Sequence, residues 1–241
     1  MKKNIPNYIT LLNLLSGLIA LFFVFQRQWE MAFLFLSIGI LFDFIDGLVA
    51  RKLKVSSEMG LQLDSLADMV TSGVVPAFVL FFMIAAGLNI NLQQIDLANY
   101  KYYLPLFAFV VAMGSAWRLA VFNTDERQAT NFIGLPTPAN ALFIVSLPLV
   151  AMQTQSIWIK DLLSNPYVLI AIAFISAYLL NMNKELFSLK FKDFSWKNNV
   201  RKYVLLILSV FLLLFLKIQA VPLIIFIYLL LSFIPFKKIS N

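Results

Sequence analysis

The chain alternates long apolar runs with short polar breaks. Runs at about 8–25, 29–49, 60–86, 102–122, 138–153, 166–182, 203–217 and 219–236 are each apolar and of the length, or nearly the length, that a helix needs to cross a bilayer. They predict an all-α fold: a polytopic membrane helix bundle of eight spans, six forming a core and two more added to it. The runs are not uniform. Asn7, Thr10, Asn13 and Gly17 recur at helical spacing in the first. The stretch QLDSLADMVTSG at the start of the third is too polar to face lipid and belongs inside the bundle. Asn7 is a good helix cap; Asn7, Thr10 and Asn13 equally suit the lining of a ligand site. Thr137 followed by Pro138 reads as the cap and first residue of the fifth helix. Residues 183–202 form a basic, weakly amphipathic connector. The chain thus divides into a core, 1–182, and a C-terminal part of the same membrane domain, 183–241, holding the connector and the last two spans. The first run lacks a small-residue cleavage site and reads as a retained span.

Composition narrows the class. Of 241 residues 61% are hydrophobic and 13% charged, which excludes an ordinary soluble domain and disorder. There is no cysteine, so there is no disulfide framework, thiolate site or cysteine nucleophile. There is no histidine, so proton transfer falls to a carboxylate, a lysine or a tyrosine. The net charge of +7 follows topology rather than forming one nucleic-acid-binding patch. With the N-terminus inside and eight spans, the inner side carries Lys2, Lys3, Arg51, Lys52, Lys54, Arg118, Arg127, Lys184, Lys190, Lys192, Lys197, Arg201, Lys202, Lys237 and Lys238. The outer side keeps Arg27, Lys101, Lys160 and Lys217. This predicts a multi-pass protein of the cell membrane with both termini cytoplasmic.

Candidate chemistry gathers between residues 43 and 68, DFIDGLVARKLKVSSEMGLQLDSLAD. Asp43 and Asp46 are three apart, with Gly47, Ala50 and Arg51 continuing on that face; Asp64 and Asp68 are four apart, with Gly60 one turn earlier. Two helices can aim four carboxylates at one point. Like charges this close call for a cation between them, and clustered carboxylate oxygens suit Mg²⁺ or Mn²⁺. The small residues leave room for a bulky ligand, and Arg51 is a cation of the kind that pairs with phosphate. The residues read as a metal–phosphate site in a membrane bundle, placed at the cytoplasmic end together with Asn7, Thr10, Asn13, Arg118 and Asn123. Paired structural acids of a transporter are the competing reading. The outer halves of the spans are nearly bare of polar groups, and that favours an enzyme.

The pattern D-x2-D-G-x2-A-R-x8-G-x3-D-x3-D, filled by Asp43, Asp46, Gly47, Ala50, Arg51, Gly60, Asp64 and Asp68, resembles the signature of the CDP-alcohol phosphotransferases. The resemblance implies transfer of a phosphatidyl group from a CDP-linked lipid to an alcohol, with release of CMP and no covalent intermediate. It assigns Asp43, Asp46, Asp64 and Asp68 to two divalent ions. It assigns Asp46, Gly47, Ala50, Arg51 and Gly60 to the CDP-lipid, and Asp68 to general-base catalysis. IPNYITLLNLLSG, LDSLADMVTSGVVPA, RLAVFN and FIGLPTPANA are similar to the membrane-embedded phosphatidylserine synthases of that family, over roughly residues 5–150. Val121 stands where these usually carry a second arginine. The expected substrates are CDP-diacylglycerol and L-serine, and the expected assembly is a homodimer.

Serine's carboxylate wants a fixed cation, for which Arg118 is the candidate, or a helix start such as that at Thr137. Arg118 serves equally as a topological and structural cation. Glycerol 3-phosphate or inositol phosphate would want several clustered cations, and Arg118 and Arg127 are the only inner ones between residues 55 and 183. Divalent-cation transport is the reading from another functional class.

Overall fold

A computed structural model describes residues 4–55, 57–94, 96, 98–124, 132–187 and 195–233. Helix α1 (Ile5–Phe25) starts with Pro6 in its first turn, where the missing N–H costs nothing. Its cap position is Asn4, so Asn7 lies inside the helix instead of capping it. Helix α1 is polar within and apolar without. Thr10, Asn13, Ser16 and Gly17 are buried, while Leu11, Leu15, Leu18 and Phe22 are exposed. That inversion is what lipid as the outer solvent demands: small and hydrogen-bonding residues let helices approach, and large apolar ones meet the acyl chains.

Helix α2 (Trp29–Leu53) packs along α1. Helix α3 (Glu58–Asp68), a π-helical turn (Met69–Val74) and α4 (Val75–Gly87) form one continuous span. A 3₁₀ segment (Tyr100–Phe109) containing Pro105 leads into α5 (Val110–Thr124). Helix α6 (Thr137–Gln153) lies against α2, α4 and the π-helical turn, and is among the most buried elements. It begins at Thr137, with Pro136 as cap, one residue earlier than the expected cap.

The chain segment before the sixth expected span is itself helical. Helix α7 (Ile157–Ser164) meets α8 (Pro166–Asn181) at a bend of 72°. Asn165 makes the corner, its side chain accepting from the N–H groups of Tyr167 and Val168, and Pro166 opens the new helix. A two-residue strand β1 (Phe132–Ile133) pairs antiparallel with β2 (Glu185–Leu186). Helix α9 (Trp196–Leu216) takes in the end of the expected connector. It breaks at Lys217, whose φ is +50°, and α10 (Ala220–Phe233) follows. Leu205 of α9 and Tyr228 of α10 share a buried cluster with Leu135, Met182 and Leu186, which seats the last pair of helices on the core.

All eight expected apolar segments are helical, but they do not make eight helices of spanning length. Among the described residues five runs are long and apolar enough to cross a bilayer, and six with the bent pair. Helix α6 has 17 residues, and the last two expected spans form a single run, Asn199–Phe233, interrupted at Lys217. The protein is a multi-pass membrane helix bundle. The expected inner cations Lys2, Lys3, Arg127, Lys190, Lys192, Lys237 and Lys238 lie outside the described residues.

Candidate metal centre

Helix α2 carries Asp43 and Asp46, and α3 carries Asp64 and Asp68. Four-residue spacing puts Asp64 and Asp68 on one face of α3. One carboxylate oxygen from each of Asp43, Asp64 and Asp68 lies within 4.8 Å of the other two. Asp46 is buried one turn further along α2 and stands outside this triad, its carboxylate accepting a hydrogen bond from the Thr10 hydroxyl. The charge of Asp64 still reaches it.

The donor set fits a divalent cation. Its atoms are hard carboxylate oxygens from two helices, and Oδ1 of Asp64 is buried without a hydrogen-bond partner among the described residues. A buried anionic oxygen with no donor is costly, and a cation between the carboxylates removes that cost along with their mutual repulsion.

Local sequence explains the placement. Ser57 caps α3 by accepting from the Gly60 N–H at 3.0 Å. A Cβ on Gly60 would stand 3.1 Å from Oδ1 of Asn7 and from Oγ of Ser57, so a larger residue there would have to push these side chains back. Arg51 folds back over Gly47, where a Cβ would stand 3.4 Å from its guanidinium. Gly47, Ala50 and Arg51 follow the two aspartates along α2.

Of the candidate pocket residues, Thr10 meets Asp46, and Asn13 donates from Nδ2 to Oδ1 of Asp68 at 3.0 Å. Asn123 donates to Oγ of Ser65 at 2.8 Å, tying the end of α5 to α3 beside Asp64. Arg118 is differently engaged. It is buried and donates from one terminal nitrogen to the carbonyl of Ile133 at 2.6 Å, and more weakly to that of Leu180 at 3.4 Å. It joins α5, β1 and α8.

Two features escape a reading of the sequence. Thr71, in the π-helical turn, donates to Oδ1 of Asn13 at 2.8 Å. Asn140 of α6 is fully buried with neither amide atom partnered, and the hydroxyls of Ser72 and Ser115 are buried and unpartnered as well. The signal for both was polarity inside apolar surroundings, in DMVTSG and in PTPANA.

The CDP-alcohol phosphatidyltransferase family matches residues 3–179. A protein of Bacillus subtilis named CDP-diacylglycerol–serine O-phosphatidyltransferase is 33% identical over 143 residues, which is 59% of this chain and 74% of that protein. Proteins of the same name from Methanocaldococcus jannaschii and Helicobacter pylori are 34% and 33% identical over 142 residues, 58% of this chain. The aligned part covers 58% and 55% of those two, little more than half their length.

Proposed function

The chain belongs to the CDP-alcohol phosphatidyltransferase family, and from that premise we propose that it transfers the phosphatidyl group of CDP-diacylglycerol to the hydroxyl of L-serine, giving phosphatidylserine and CMP. The observation that carries the reading is the convergence of Asp43, Asp64 and Asp68 on one point inside a membrane bundle. The identity of the relatives supports serine as acceptor.

Members of this family generally use a divalent metal. In our reading Asp43, Asp46, Asp64 and Asp68 hold two Mg²⁺ or Mn²⁺ ions, which when bound neutralise charge on the pyrophosphate. The chain's own groups do the rest. Gly47, Ala50 and Gly60 admit the cytidine and pyrophosphate, with Asp46 beside them and Arg51 pairing with phosphate. Asn7, Thr10, Asn13, Arg118 and Asn123 border the acceptor. Asp68 takes the hydroxyl proton as serine Oγ forms its bond to the lipid-bearing phosphorus. The bond from that phosphorus to the bridging oxygen breaks, and CMP leaves with the electron pair. We further place the site at the cytoplasmic side of the cell membrane, in a homodimer.

The test is CMP release by purified protein in detergent with CDP-diacylglycerol, Mn²⁺ or Mg²⁺, and one alcohol at a time. Release that depends on L-serine is expected. Release that needs glycerol 3-phosphate or inositol phosphate would keep the chemistry and change the acceptor. Tight metal binding with no release for any alcohol would point to cation transport.

A further inference from the structure

Most hydroxyls on these helices stay on their own helix. Ser16, Ser37 and Ser65 each donate to the carbonyl four residues earlier. Thr71 does not. Its hydroxyl crosses to α1, donating to Oδ1 of Asn13 at 2.8 Å and lying 3.3 Å from the Asn13 carbonyl. Both residues are fully buried, so no water competes. The crossing needs room, and two glycines supply it. A Cβ on Gly17 would collide with the Thr71 hydroxyl, and one on Gly39 would stand 2.9 Å from the Thr71 methyl and 3.1 Å from Oδ1 of Asn13. Thr71 itself sits in the π-helical turn that starts directly after Asp68, a form of helix that concentrates at functional sites.

We infer that Thr71 is a positioning residue that sets the Asp68 carboxylate through the amide of Asn13. The chemistry is directional. An asparagine amide has an acceptor end and a donor end. A donating hydroxyl on Oδ1 turns Nδ2 toward Asp68, where it donates at 3.0 Å. The reverse orientation would set carbonyl oxygen against carboxylate oxygen. With Oδ1 of Asp68 held, its other oxygen is the one available for proton transfer. The slot formed by Gly17 and Gly39 keeps Thr71 in its rotamer. This inference rests on the role proposed above for Asp68.

The test compares the full chain with Thr71→Val and Thr71→Ser in detergent. Valine keeps the shape and removes the donor; serine keeps the donor. Two readouts are needed: Mn²⁺ affinity without substrate, by electron paramagnetic resonance, and kcat and KM for CMP release. T71V is expected to weaken Mn²⁺ binding or kcat by about 10–100-fold, the range for outer partners of metal ligands. KM for CDP-diacylglycerol should stay unchanged, and T71S should restore most of the loss. Gly39→Ala, which presses on the same pair, should lower kcat in the same way. A T71V protein that matches the unmodified chain in both readouts overturns the inference, as does equal loss in T71V and T71S, which would assign Thr71 to packing. Failure of the unmodified chain to bind Mn²⁺ would sink the underlying reading and this one with it; normal binding by both proteins together with an unchanged kcat sinks this one alone.

Discussion

Asp68 receives the Asn13 amide on Oδ1 and brings a carboxylate oxygen to the cluster with Asp43 and Asp64. A group so placed loses its chemistry while keeping its shape when it becomes an amide. Asp68→Asn is expected to lower kcat by about 10²–10⁴-fold, the usual worth of a general base, with CDP-lipid binding largely kept. Equal loss of binding and rate would remove the base assignment. A structural position gives the contrasting case. Gly134 has a φ of +74°, and a Cβ there would collide with the Leu180 carbonyl, one of the two that Arg118 holds. Gly134→Ala should cost about 1–3 kcal/mol, read as an earlier unfolding midpoint in detergent. The aspartates were legible in the sequence because helical spacing alone brings them to one face. Asn13 was legible as a polar residue, but its partner Thr71 lies 58 positions away. Thr71 and Asn140 were visible only as polar letters in apolar text. Arg118 was legible as a cation, and only the fold reveals the two carbonyls it donates to.

The helix that carries Asp64 and Asp68 hangs from one cap. Ser57→Ala removes the acceptor for the Gly60 N–H and should cost about 1 kcal/mol; Ser57→Asp, which restores an acceptor, should recover it, with thermal unfolding in detergent as the measure. Other helix ends follow a shared device. Arg27, Lys54, Asn89 and Lys217 take left-handed φ values just past α1, α2, α4 and α9, where glycine is commonest. Three of the four are basic residues at a helix C-terminus, an end that favours positive charge. Hydropathy marked where these helices lie. It did not mark the π-helical turn, because inserting one residue leaves an apolar run apolar. Nor did it mark α7, whose bend at Asn165 depends on a cap and a proline rather than on polarity.

Across the whole molecule, charge and site agree on a direction. The basic residues Arg51, Lys52 and Lys54 follow the aspartates of α2 directly. By the positive-inside rule this is the pattern expected of a cytoplasmic end, as proposed above. The chain has no cysteine, so single introduced thiols report cleanly. Lys52→Cys should resist an impermeant maleimide in intact cells and react after lysis, while Gln93→Cys should react in both. The reverse pattern would invert the topology. Apolarity marked the eight helical segments but not their lengths: among the described residues five runs, or six with the bent pair, are long, and α6 is shorter.

The mouth of the site bears on fidelity. Asp43 and Asp64 are only partly buried, and Arg51, Lys52, Glu58 and Met59 around the opening are exposed. An acceptor entering by this exposed side would share its path with water, which is itself a nucleophile. Discrimination between the two must come from how the acceptor is held, not from dryness. An enzyme built this way is expected to leak, turning over CDP-diacylglycerol slowly to phosphatidic acid when serine is absent, and to be silenced as a hydrolase when serine fills the place.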